Sequence, residues 1–297
     1  MNKTLEDMKP LIIKNTIQTI SKKLSFFCIS MMITALISCS NENEEPDLAL
    51  EEKASANDES LEEYYFNDAG DIAMEAFASE DESLAGGKLS TDSRLSGALV
   101  LRTGPFISGN LRIDFGNGST HIHGNLRKGL IIIDHVGRWN VEGSQWTITF
   151  SGYTINGIKI EGIKQVTVTS VTDNVITHDV KLLNGKITWP DGSVATRECH
   201  HIRERERHEN HLLDRLIVYG NGQGMLRNGR GFSIEILERL IYYRACAAEG
   251  VLIPLQGKKL IKHGERELTV DYGDGACDNI VSLTNNAGVS IRYEVSK

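Results

Sequence analysis

The sequence lacks a second long apolar run. Its only one spans Leu24 to Ile37, about 14 residues, whereas a membrane-crossing helix needs about 20. It also lacks a Gly-x-Ser-x-Gly elbow and a His-Glu-x-x-His pair, and no cysteine stands in a recognisable nucleophile setting. The commonest hydrolase signatures therefore have no foothold. Strand–helix alternation is missing too, which argues against a parallel α/β sheet. No nucleic-acid module and no cofactor motif emerges.

What is present begins with the end of that apolar run. Lys22 and Lys23 flank it, and Leu36-Ile37-Ser38-Cys39 closes it as a lipobox: an apolar residue, a small spacer, then a cysteine to be acylated. The length fits the roughly 7–15 residues of a signal-peptide core. Residues 1–38 are thus expected to be removed, Cys28 among them, with Cys39 lipidated as the mature N-terminus. Anchoring through several acyl chains, at about 0.8 kcal/mol per buried methylene, is effectively permanent. Export leaves Cys199, Cys246 and Cys277 where disulfides persist, and three thiols allow at most one internal bridge.

Charge then divides the mature chain. Residues 40–92 hold 17 Asp or Glu against Lys53 and Lys88, whereas residues 93–297 hold 25 Lys or Arg against 21 Asp or Glu. The acidic stretch, 39–92, reads as a solvated tether standing the domain off a membrane. Within it Leu61, Tyr65, Ala69, Ile72, Ala73, Ala76 and Phe77 recur at helical spacing, which predicts one short helix near 61–77, either idle or docked on the basic domain.

From Leu95 the period becomes 2. Gly129–His135, Gln145–Phe150, Ile158–Val171, Leu216–Tyr219, Phe232–Ile236, Glu267–Tyr272 and Val289–Val295 alternate or are β-branched. Asn156-Gly157, Pro190-Asp191-Gly192, Asn228-Gly229 and His263-Gly264 supply turns, Asn-Gly being a favoured hairpin connection. The expected fold over 93–297 is all-β: an antiparallel meander of ten to twelve strands, curled into a sandwich or barrel. Cys199–Leu216 is ambiguous, since it contains good helix formers. As a strand it puts Arg203, Arg205 and Arg207 on one face and Glu204 and Glu206 on the other, with both faces expected to be wet. We favour the strand.

Candidate sites are sparse. Leu111–Gly118 and Leu268–Gly275 echo each other as strands ending in Asp-aromatic-Gly-(Asn/Asp)-Gly. Asp114 and Asn117, or Asp271, Asp274 and Asp278, offer oxygen ligands, but too few for a calcium loop, so the motifs read as turns. Gly220, Gly222 and Gly224 lie on one face of a strand and leave a flat strip for a neighbour; no helix follows to make a phosphate loop. His121 and His123 share a strand face, and His200, His201, His208 and His211 form a second group. Spacing alone brings two ligands together at most, short of the three or four zinc requires, so no metal is expected. Asp134 and His135 are the nearest thing to an acid–base pair. Arg203, Arg205, Arg207 and Arg215 together make a candidate anion-binding surface for an acidic glycan.

In order, Asp114-Phe115-Gly116-Asn117-Gly118, Arg127-Lys128-Gly129, Gly137-Arg138-Trp139, Tyr153–Gly162, Asn184–Gly192 and Asp271–Asn279 resemble an uncharacterised family of lipoproteins from Bacteroidetes-type bacteria. The resemblance covers roughly 110–297 and implies a β-rich exported domain without a known activity. Ser119 stands where relatives carry cysteine, and Cys199–His211 replaces a threonine-rich stretch. Cys246 and Cys277 belong to the resembled pattern, which implies that they pair, across strands joined by the His263-Gly264 turn. The expectation is a lipid-anchored protein of the outer membrane or cell surface, a non-catalytic binding or structural module whose partner is an anionic glycan or another envelope protein. The alternative is a secreted hydrolase acting on glycan or protein.

Overall fold

The structure, a computed structural model, describes residues 50–84, 93–105, 107–120 and 125–295. The lipobox with Cys39, and the His121–His123 pair, lie outside them. The first element among the described residues is a helix, α1 (Leu50–Leu84). Fourteen strands follow among the described residues: β1 (Leu99–Thr103), β2 (Ser108–Asp114), β3 (Ser119–Thr120), β4 (Leu126–Val136), β5 (Gln145–Ile155), β6 (Ile158–Val171), β7 (Val175–Thr188), β8 (Val194–Glu206), β9 (Arg215–Met225), β10 (Gly231–Tyr243), β11 (Gln256–His263), β12 (Arg266–Asp274), β13 (Ile280–Asn285) and β14 (Ser290–Glu294). One short helix, α2 (Arg244–Ala248), interrupts them between β10 and β11.

All strand pairs are antiparallel, and each strand neighbours the next in sequence, apart from the two-residue β3, which pairs only with β4. The meander expected from period-2 patterning is what forms. Tight turns enforce it: Asn156 at φ 50° and Gly157 at φ 83° join Ile155 to its partner Ile158. Both residues occupy the left-handed region that the favoured two-residue hairpin turn demands. No pairing between β1 and β14 closes the sheet among the described residues.

The acidic stretch departs from its expected form. α1 runs 35 residues rather than a single short segment near 61–77, and it is no solvated tether. Between Glu51 and Asp81 only Ala54 is exposed. The sheet curls about the helix, and the core is the space between them. Ala69, Ile72, Ala73, Ala76 and Phe77 interleave with Ile113, Ile131, Ile133, Trp146, Ile148 and Val166. A second cluster, built on Val218, Phe232, Ile234, Leu240, Ile261, Leu268, Val270 and Leu283, fills the sheet toward its C-terminal strands and meets the helix at Ala56. Residues 46–297 make one compact unit. The helix runs past the apolar spacing because, Ala56 apart, much of what holds its remainder is ionic, and charged side chains carry no hydrophobic period.

Cys246, in α2, and Cys277, after β12, form a disulfide with their α-carbons 5.3 Å apart. Cys199 is free and half-buried.

Candidate functional site: a charged interior between helix and sheet

α1 carries 12 Asp and Glu against one Lys, yet is enclosed. Burying a carboxylate costs several kcal/mol unless a partner meets it. The strands supply those partners along the helix. Near its start Glu51 pairs with Arg266 at 2.7 Å and with Arg230. One turn or two later Glu59 accepts from Arg197 at 2.8 Å and from Lys259, while Glu63 takes Lys259 at 2.9 Å and a weaker bond from the Tyr242 hydroxyl at 3.4 Å. Arg197 and Lys259 are 2% and 1% exposed, so these cations are as buried as the core leucines. Further along, Asp68 receives Arg127 at 2.7 and 3.2 Å, and the same guanidinium donates to the Tyr153 hydroxyl at 2.9 Å. Asp71 pairs with Arg203 at 3.0 Å, and Asp81 accepts from Arg138 at 3.3 Å and from the Trp139 backbone at 3.2 Å.

The groups respond to this setting. Burial works to raise Glu63, but Lys259 and Arg197 overcome it and hold the carboxyl low. Burial likewise opposes the charge on Lys259, and Glu59 and Glu63 outweigh it, so its pKa is raised. Glu62 is the exception. It is fully buried, neither oxygen has a hydrogen-bond partner among the described residues, and burial drives its pKa to about 9 against the pull of Arg197. Three adjacent helix carboxylates thus face two cations, and the third is neutral at pH 7. His178 and His201 are pushed down to about 3, chiefly by burial, and stay neutral as well.

The sequence-predicted residues are distributed otherwise than expected. Cys199–Glu206 is strand, within β8, paired to β9 from Thr196↔Met225 to Glu206↔Arg215. Its faces are not both wet, however. Arg197, His201 and Arg203 point inward at the acidic helix. Arg203 is engaged with Asp71, and Arg205 lies in the field of Asp71 and Glu75, with burial lowering its pKa. Arg207 stacks on Trp139 at 4.8 Å, and Arg215 pairs with Glu206. These four arginines do not share an open surface, which corrects their reading as an anion-binding face: Arg203 and Arg215 take their anions from the chain itself, and Arg207 is laid on an aromatic ring.

The histidine group also separates. His200 faces outward and meets Asp179 at 2.8 Å, whereas its neighbour His201 is buried on the inner face. His211 sits in the β8–β9 loop at 3.3 Å from Asp214. Asp134 is exposed and accepts from Asn110, while His135 turns inward against Phe77, so that pair splits across the sheet. Asp114, Asp271 and Asp278 each accept a backbone N–H two residues on, from Gly116, Gly273 and Ile280, as turn-forming carboxylates do. Gly220 and Gly222 lie opposite His201 and Cys199, and Gly224 opposite Arg197, so the glycine strip borders the inward charged row of β8. Sequence reasoning missed Glu59, Glu62, Glu63, Lys259 and Arg197. The available signal was the excess of acid in the leader against the basic balance of the rest.

Compared with known protein families, curated proteins and solved structures, the chain has no significant match.

Proposed function

We propose that this chain is a lipid-anchored envelope protein, acylated at Cys39, whose β domain is a non-catalytic structural or binding module at the outer membrane or cell surface. The lipobox and the resemblance to exported lipoproteins support the anchor. The observation that carries the non-catalytic half is the occupancy of the interior. The residues with chemical potential, Glu59, Glu63, Asp68, Arg127, Arg197 and Lys259, are spent on holding the chain's own helix inside its own sheet. A ligand in this reading meets the outside of the sheet or its rims, and another envelope protein suits those surfaces better than an acidic glycan, because Arg203 is already paired inward. Cell fractionation tests the anchor: wild type should sediment with membranes, and Cys39→Ala should be released or persist as uncleaved precursor. Intact mass showing an unmodified Cys39, or a mature start elsewhere, refutes it.

A further inference from the structure

The strand path has two ends, and they are unlike. β14 directs Ser290, Arg292 and Glu294 to its exposed face, with Ile291 and Tyr293 half-buried. Charged side chains on an edge strand discourage pairing with other chains. β1 has no such guard. Leu99 and Leu101 are 56% and 47% exposed on its outer face, and its one charged residue, Arg102, turns inward to within 4.0 Å of Asp81. Among the described residues no strand pairs with the side of β1 away from β2. An open row of backbone donors and acceptors beneath exposed leucines is a template for strand addition.

We propose that β1 is the edge by which two copies of this chain associate, strand to strand and antiparallel, about a two-fold axis through Leu101. The sequence of the strand is what selects a second copy. In that register Leu101 opposes Leu101, Leu99 opposes Thr103, and Val100 opposes Arg102. No like charges face each other, and the leucines cover one another on the outer face, where cross-strand pairs of this kind stabilise a sheet. Arg112 and Asp114 of β2 already flank Leu101 and Leu99 on their other side, which gives the new ladder polar borders. A two-fold contact closes on itself. Joining β1 of one copy to β14 of the next would leave an open edge on every growing assembly. Five residues a side bury less than the roughly 1,000 Å² of a stable complex, so the association is weak and depends on local concentration. It does not depend on the lipid anchor.

Directly opposed residues in antiparallel strands have α-carbons about 4.5–5.5 Å apart, within disulfide range. Leu101→Cys, Leu99→Cys and Thr103→Cys should therefore be made in the full chain and oxidised in intact cells expressing it, wherever the protein fractionates, with wild type as the control for Cys199. The expected result is a disulfide-linked dimer from Leu101→Cys alone, and from Leu99→Cys only when it is mixed with Thr103→Cys. Leu101→Lys, which sets like charges on the axis, should reduce chemical cross-linking of the otherwise wild-type chain at least tenfold. Absence of cross-linking by Leu101→Cys, equal cross-linking by Leu99→Cys alone, or a dimer indifferent to Leu101→Lys overturns the proposal.

Discussion

Glu59 and Arg197 meet at 2.8 Å in the interior, 138 residues apart in sequence, with the carboxylate 0% and the guanidinium 2% exposed. Lys259 shares the same carboxylate, so one helix residue ties β8 and β11 together. Removing one partner of a buried pair leaves the other charge uncompensated and costs about 3–5 kcal/mol. Glu59→Gln should lower unfolding free energy by that amount, because two buried cations are then left to Glu63. Urea denaturation measures it. A loss below about 1 kcal/mol would mean that the helix is not held by this contact.

Glu62 gives the structure a pH dependence of defined sign. Its folded pKa, about 9, lies above the ordinary 4.5, so between those values the folded state holds a proton that the unfolded state has released. Stability from this group therefore falls as pH rises through that window, by at most about 1.4 kcal/mol per pH unit. His178 and His201, depressed to about 3, act oppositely below 6.5, and Lys164, lowered to about 8, acts oppositely above that value. The interval from about 6.5 to 8 isolates Glu62. There wild type should lose stability with rising pH, and Glu62→Gln should remove the slope. Parallel profiles for the two proteins would show that Glu62 is ionised at neutral pH.

The arginines of β8 and its loop should differ in effect. Arg203 is nearly buried against Asp71, whereas the Arg215–Glu206 pair is partly open to solvent. Arg203→Ser should cost toward the lower end of about 3–5 kcal/mol, and Arg215→Ser no more than about 1 kcal/mol, the range of exposed pairs. Thermal or urea melts of the two variants decide it, and equal small losses would return Arg203 to the surface.

Most strands, and the meander order, were legible because side chains alternate along them and Asn156-Gly157 or Asn228-Gly229 announce the hairpins. The helix was half legible. Ile72, Ala73, Ala76 and Phe77 show its spacing, but Glu59, Glu62 and Glu63 look like a solvated face until the cations that bury them are located. Those cations, Arg197 and Lys259, lie 138 and 200 residues from Glu59. The same blindness put the arginine row of β8 in water. No local pattern distinguishes an arginine facing solvent from one facing a buried carboxylate.

The Cys246–Cys277 bond closes a loop with a sequence separation of 31, and bridges of this size contribute about 3 kcal/mol. Cys246→Ser with Cys277→Ser should destabilise the protein by about that much under oxidising conditions and leave its reduced form almost unchanged. Non-reducing peptide mapping should recover the two cysteines linked and Cys199 alone. Cys199 bonded to either would break the assignment.

The glycine strip supplies the last test, because two glycines with positive φ differ in what surrounds them. Gly229 turns the β9–β10 hairpin at φ 80°, and a β-carbon there would meet nothing within 4 Å. Gly220 holds φ 135° within β9, and a β-carbon would collide with the His200 carbonyl oxygen and the His201 backbone. For Gly229→Ala only the left-handed backbone is penalised, about 1–2 kcal/mol. Gly220→Ala adds a clash with the backbone of a neighbouring strand, which cannot rotate aside as a side chain can. Shifting β8 there would disturb Arg197 and His201, and through Arg197 the contact to Glu59. Gly220→Ala should therefore cost clearly more than Gly229→Ala, and its loss should shrink when Glu59→Gln is already present, since the contact it disturbs is gone. Additive losses in that double-mutant cycle would separate the strip from the charged interior.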